Sequence, residues 1–286
     1  MKAVVIGTGL IGGSFARDLR RAYPELELLG MDREPAHMTR ALELSLVDRE
    51  ATEADLASAD FVLLAIPVNG LVAELPSLLD LVGDETLVFD AGSTKALICE
   101  AVERHPKRRN FLACHPIAGT EFTGPEAAVS GLFEGKTLII CEVEQTAFRL
   151  QERALEMFRN IGMRIRYMHP VAHDRHIAYV SHLSHISSFM LGKTVIEKEK
   201  NERDIFDLAG SGFESTVRLA KSSPAMWTPI FEQNRENVLE TLDEYIANLQ
   251  GFRTLLEAGD LDGVFREMAQ TNRIEEILKG IPTPKP

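Results

Sequence analysis

No apolar run in this chain approaches the length of a membrane span, so a helical anchor in a bilayer is not expected. Cysteine is scarce. Cys99, Cys114 and Cys141 make an odd total without a C-x-x-C pair, which argues against a disulfide framework and fits a reducing cytoplasm. Two of the three lie in apolar runs, where cysteine behaves as a small hydrophobe. Positive charge is also in short supply. Lys and Arg number 31 against 43 Asp and Glu, for a net charge of −12, and the densest basic cluster is Lys107-Arg108-Arg109. Such a balance disfavours binding nucleic acid or an anionic membrane by bulk charge. An anionic substrate would need specific local cations. No secretory signal is visible, because the N-terminus itself reads as a strand. Internal repeats and low-complexity tracts are missing too.

What is present is concentrated at the start. Val4-Val5-Ile6 runs straight into Gly7-Thr8-Gly9-Leu10-Ile11-Gly12, a G-x-G-x-x-G turn between an apolar strand and a helix. Asp32 follows by about 20 residues, at the end of a second apolar run, as a dinucleotide site requires. Gly7 suits the tight turn, Gly9 lets the backbone approach a pyrophosphate, and Gly12 lets the helix pack on the strand. The helix N-terminus offers free N–H groups and a positive dipole end to phosphates. A carboxylate at Asp32 accepts hydrogen bonds from ribose hydroxyls and repels the extra phosphate of NADP, so NAD is the expected cofactor. Arg33 tempers that preference, since an arginine can contact a phosphate.

Short apolar runs then alternate with helical segments: Ala3–Ile6, Leu26–Met31, Asp60–Pro67, Thr86–Asp90, Asn110–Cys114, Thr137–Val143 and Met163–Met168. Continuous Val/Ile/Leu runs of this kind predict an α/β domain, a doubly wound Rossmann-type sheet, over residues 1–169. From 170 to 286 no convincing strand remains, and an all-α domain is expected. Val171–Lys200 reads as one long helix. Ile205–Phe213, with Gly210-Ser211-Gly212, reads as a loop. Ser223-Pro224 marks a helix start, Ala258-Gly259-Asp260 a stop and the next cap, and Ile281–Pro286 a frayed tail. Long apolar helices there predict a homodimer built through residues beyond Pro170.

Ligands of an open α/β sheet bind beyond the carboxyl ends of its strands. Ala65-Ile66-Pro67 follows the third strand and suits the face of a cofactor. Ser93 follows the fourth and His115 the fifth, near where a nicotinamide would end. A loop histidine there can take a hydroxyl proton, because its ordinary pKa of about 6.5 suits a base at neutral pH. Ser93 also reads as the N-cap of a helix over Thr94–Glu100. His173, His176, His182 and His185 could in principle bind a metal, but the acid and thiol ligands that usually complete such a site are not evident nearby, and none is expected.

His115-Pro116-Ile117-Ala118-Gly119-Thr120-Glu121 closely resembles the active-site loop of the prephenate dehydrogenase family. The resemblance continues in Asp90-Ala91-Gly92-Ser93-Thr94-Lys95, His173-Asp174, Ser181-His182-Leu183-Ser184-His185, Gly210-Ser211-Gly212-Phe213, Arg218-Leu219-Ala220-Lys221-Ser222 and Met226-Trp227. It implies NAD-dependent oxidative decarboxylation of prephenate in tyrosine biosynthesis, or of arogenate, its amino counterpart, in a minimal two-domain form. In that scheme His115 bonds and polarises the ring hydroxyl and Ser93 orients it. Arg218 grips a substrate carboxylate, His185 and Thr120 line the pyruvyl end, and Trp227 walls the pocket. The family pattern has glycine where this chain has Ser211, so that hydroxyl would alter any contact with a neighbouring subunit's site. More distant readings are a 3-hydroxyacid dehydrogenase, whose G-x-x-x-K motif Gly192-Lys193 fails to match, and a non-catalytic NAD-sensing module.

Overall fold

The computed structural model describes residues 1–200, 202 and 204–279. The expected frayed tail, Ile281–Pro286, lies outside them. Eight strands form one sheet: β1 Lys2–Ile6, β2 Glu27–Met31, β3 Arg49–Glu50, β4 Phe61–Leu64, β5 Leu87–Asp90, β6 Phe111–Pro116, β7 Thr137–Cys141 and β8 Arg164–Tyr167. Their order across the sheet is β3-β2-β1-β4-β5-β6-β7-β8. Strands β1 to β6 are parallel, β7 pairs antiparallel with β6, and β8 runs parallel to β7. Strand β3 is an addition to the seven expected: two exposed polar residues pairing with β2 at the sheet edge, without the apolar run that announces a strand.

The helices of this half are α1 Leu10–Ala22, α2 Pro35–Glu43, α3 Glu53–Ala57, α4 Val68–Leu81, α5 Ala96–Val102 and α6 Phe148–Asn160. They cover both faces of the sheet, which is why its central strands are nearly continuous apolar runs, residues 3–6 in β1, Phe61–Leu64 in β4 and residues 87–89 in β5. Alternate residues feed opposite layers. Val4, Leu29, Leu64, Val88 and Phe111 pack in one core with Leu71, Leu75 and Ile98. Val5, Leu28, Leu63, Phe89 and Leu112 pack in the other with Phe15, Leu19 and Phe158. The three cysteines are free and buried within these layers.

The second half is helical: α7 Pro170–Ile177, α8 Leu183–Glu199, α9 Ser211–Val217, α10 Pro224–Gln233, α11 Arg235–Ala258, α12 Leu261–Thr271 and α13 Ile274–Lys279. Three expectations need correction. The single helix over Val171–Lys200 is interrupted by a π turn, Ala178–His182. Turns of this kind recur at functional sites. The Gly210-Ser211-Gly212 segment is not a loop throughout; Gly210 is the N-cap of α9 and Ser211 its first residue. The stretch from Pro224 to Ala258 breaks at Asn234 into α10 and α11. Gly259 does end α11, in the left-handed region at φ 67°, and Asp260 caps α12 by accepting from Gly263 N.

Candidate active site

The glycine turn is shaped by close approaches. Gly7 has φ +91°, and a Cβ there would stand 2.4 Å from the Ala65 carbonyl oxygen. A Cβ on Gly12 would stand 1.9 Å from the Gly7 carbonyl oxygen. Gly9 faces open space: its Cβ would meet nothing nearer than Gly124 N at 4.0 Å. Helix α1 starts at Gly9 with no side-chain cap and no acidic residue in its first turn. Its first N–H groups, which include those of Leu10 and Ile11, therefore look for an outside acceptor. Asp32 stands just past β2. Its carboxylate accepts from Thr8 N at 2.8 Å, Thr8 Oγ1 at 2.9 Å and Glu34 N at 3.0 Å. Arg33 is exposed and leans toward Glu34. Ala65 and Ile66 are half-buried beside the turn, and Pro67 is exposed. Free N–H donors, a bare backbone and a fixed carboxylate are a donor and acceptor set suited to a dinucleotide.

Farther along the sheet, three strands from β1, His115 does not sit in a loop after the strand. It lies within β6, opposite Ile139 of the antiparallel β7. Its backbone is anchored from below by a buried ion pair that sequence reasoning missed. Lys95 Nζ pairs with Asp90, both side chains fully buried, and donates to the Cys114 carbonyl at 2.7 Å. Asp90 Oδ1 accepts from Cys114 N at 2.9 Å. The His115 ring reaches outward: Nδ1 lies 2.8 Å from His173 Nε2, and His173 Nδ1 lies 2.7 Å from Asp174 Oδ1. Burial, then the neighbouring His173, Lys95 and His182, push His115 well below the usual histidine pKa, so its neutral form dominates at pH 7.

Ser93 does not cap the helix after it. It is half-buried in the turn between Asp90 and α5, and α5 begins later, with Lys95 as N-cap residue. The cap comes from the other half of the chain. Asp174 on α7 accepts from Lys95 N at 2.7 Å and Ala96 N at 2.9 Å. A carboxylate at a helix N-terminus answers both orphan donors and dipole.

His182 closes the π turn and His185 follows in the first turn of α8. His182 is fully buried, and burial drives its pKa down to about 4. Asn234, at the break between α10 and α11, binds the Asp174 carbonyl at 2.6 Å and His182 Nδ1 at 3.2 Å through its amide nitrogen. His185 is half-buried and stacks on Trp227 with centroids 3.6 Å apart. Burial lowers its pKa as well. Arg218 Nη1 donates to Glu121 Oε2 at 3.0 Å, tying the 310 turn after α9 to the segment after β6. Thr120, beside Glu121, is exposed and accepts from Phe122 N. Thus His115, His173, His182, His185 and Trp227 form one connected set, with Arg218 and Glu121 a second pair. Ser211 stands exposed at the start of α9, a helix that packs against α8. Trp227 also borders a groove of about 620 Å³ between α8 and α10, with Ile186, Phe189, Met190 and Phe231, away from His115.

Two family models span the chain. The nucleotide-binding domain of prephenate dehydrogenase matches residues 15–167, and the dimerization domain of prephenate dehydrogenase matches residues 169–270. Among curated relatives, prephenate dehydrogenase of Bacillus subtilis is 29% identical, the alignment covering 92% of this chain and 72% of the relative. Cyclohexadienyl dehydrogenase of Zymomonas mobilis is 28% identical over 96% and 95%. Among solved structures, A. aeolicus prephenate dehydrogenase in complex with hydroxyphenyl propionate and NAD+ superposes with a TM-score of 0.88, at 29% identity over 97% and 98% of the two chains. Synechocystis arogenate dehydrogenase superposes with a TM-score of 0.77, at 28% identity over 97% and 100%.

Proposed function

Because the chain belongs to the prephenate dehydrogenase family, we propose that it oxidises and decarboxylates prephenate to 4-hydroxyphenylpyruvate with NAD. The observation that carries this reading is His115: a neutral, half-buried imidazole at the end of β6, on the edge of the sheet that the glycine turn shares. Gly7, Thr8, Gly9, Leu10, Ile11, Gly12 and Asp32 would hold the dinucleotide, with Arg33 beside the ribose and Ala65, Ile66 and Pro67 against its face. Bound there, NAD supplies the hydride acceptor. His115 takes the proton of the ring hydroxyl as the carbonyl forms. Loss of carbon dioxide leaves its bonding electrons in the ring, which becomes aromatic. His115 then returns the proton to the phenolic oxygen, so the residue ends as it began. Ser93 orients the hydroxyl at the nicotinamide end. Arg218 holds a substrate carboxylate with the guanidinium N–H groups that Glu121 leaves free. His185, Thr120 and Trp227 line the pyruvyl end.

We further propose a nucleotide domain over 1–169 and a substrate and dimerisation domain over 170–286, working as a homodimer. Exposed apolar side chains on α11 and α12, among them Leu249, Leu256, Phe265 and Met268, support that assembly, as does the apolar groove beside Trp227. Ser211 would lie near the partner's pocket.

The test is NADH formation with prephenate, arogenate and a small hydroxyacid offered separately. Turnover of prephenate is expected, and His115→Asn should lower it by about two to four orders of magnitude with NAD binding retained. Turnover of arogenate alone transfers the mechanism to the amino substrate. Near-normal turnover in His115→Asn removes that residue from the chemistry.

A further inference from the structure

Resting on His115 as the proton acceptor, we infer that His173 and Asp174 are positioning residues that hold His115 in the one tautomer able to act. The argument starts from the fixed end. Asp174 Oδ1 accepts from Lys95 N, and Oδ2 from Ala96 N. Main-chain N–H groups only donate, so this carboxyl group is committed as an acceptor on both oxygens. Its Oδ1 also lies 2.7 Å from His173 Nδ1, so the proton in that contact belongs to His173. A neutral imidazole carries a single N–H, which leaves a lone pair on His173 Nε2. That atom is 2.8 Å from His115 Nδ1, and His115 must supply the proton between them. His115 Nε2 is then the bare nitrogen, free to take a substrate proton.

The same contacts stabilise the product of that transfer. When Nε2 gains its proton, the Nδ1–H of the resulting imidazolium still donates to His173, and the Asp174 carboxylate answers the new charge at one remove. Both rings are fixed by their surroundings. His173 is 2% exposed, and the residue before His115 is clamped by Asp90 and Lys95. Sequence proximity hides the arrangement, because His173 and Asp174 stand 58 and 59 positions beyond His115 and on a different element.

Two variants separate orientation from folding. Asp174→Asn keeps size, and with its oxygen toward Lys95 N it still accepts from His173 Nδ1 but no longer sets a negative charge behind that ring. His173→Leu removes the acceptor for His115 Nδ1–H and leaves the Asp174 cap on α5 in place. The direct readout is nitrogen NMR of the His115 ring in the full chain without substrate, where the unmodified protein should show Nδ1–H and a bare Nε2. His173→Leu should shift the ring toward Nε2–H, and both variants should lower kcat by about 10²- to 10⁴-fold with the Kd for NAD within about twofold. An Nε2–H ring in the unmodified protein overturns the inference. So does a His173→Leu ring that keeps Nδ1–H, or an unchanged kcat in either variant. The NMR result stands whichever substrate is turned over, so failure of the substrate assignment is seen separately.

Discussion

Replacing Lys95 by methionine tests how firmly the floor of the site is built. Lys95 and Asp90 are both fully buried and face each other, and Lys95 also holds the Cys114 carbonyl at 2.7 Å. Methionine nearly fills the space of the lysine stem and removes only the charge and its N–H donors. Asp90 would keep the N–H groups of Gly92 at 2.8 Å and Cys114 at 2.9 Å, but no cation. Breaking a buried pair from one side costs about 3–5 kcal/mol. At about 2.1 cal/mol/K of unfolding entropy per residue over a cooperative unit of about 170 residues, Tm should fall by roughly 8–14 °C. Adding Asp90→Asn should recover part of the loss, because the stranded charge goes with it. Thermal and urea unfolding measure both. A variant that melts within two or so degrees of the parent, with no rescue by Asp90→Asn, refutes the reasoning.

Asp32→Ala should narrow the preference for NAD over NADP, read as the ratio of kcat/KM values, and comparable kcat/KM values with the two cofactors in the unmodified protein would refute the role. Arg218→Ala should chiefly raise KM for the substrate, by about 2–4 kcal/mol of lost binding, with Arg218→Lys recovering only part because lysine lacks the fork. An unchanged KM would make the arginine a partner of Glu121 alone. His182 has a folded pKa of about 4 against about 6.5 unfolded, so its contribution to stability is complete above pH 6.5 and is lost as pH falls toward 4. His182→Gln should flatten that part of the stability profile in acid unfolding.

The sheet and its nucleotide turn could be read locally, because the strand, Gly7, Gly9, Gly12 and Asp32 fall within one βαβ unit. The orientation of β7 could not. An apolar run such as Thr137–Cys141 reads alike in both directions, and only its pairing with β6 decides. Ser93 looked like a cap because Ser before a helix normally is one, whereas the acceptor is Asp174, 78 positions beyond the α5 N–H it meets at Ala96. Nothing in the local sequence marks Lys95 as buried, yet its side chain lies against an aspartate five residues earlier. The break at Asn234 lacks Gly or Pro, and its cause is a side chain drawn inward to His182 and the Asp174 carbonyl. Each miss is a contact between elements that no local periodicity records.

The cap on α5 has a consequence for recombining this chain with relatives. Asp174 belongs to α7, on the helical side of a junction at residue 169, while the N–H groups it holds belong to the sheet side. A chimera spliced at that junction draws the helix from one parent and its cap from the other. Where the second parent presents a different side chain or a slightly shifted α7, the α5 terminus is left bare, at a cost of about 1 kcal/mol for the cap alone. The ring of His173 loses its anchor at the same stroke. Splicing after Ile177 keeps β6, α5 and α7 together, so the exchangeable cassette is the sheet with the first helix of the other half still attached.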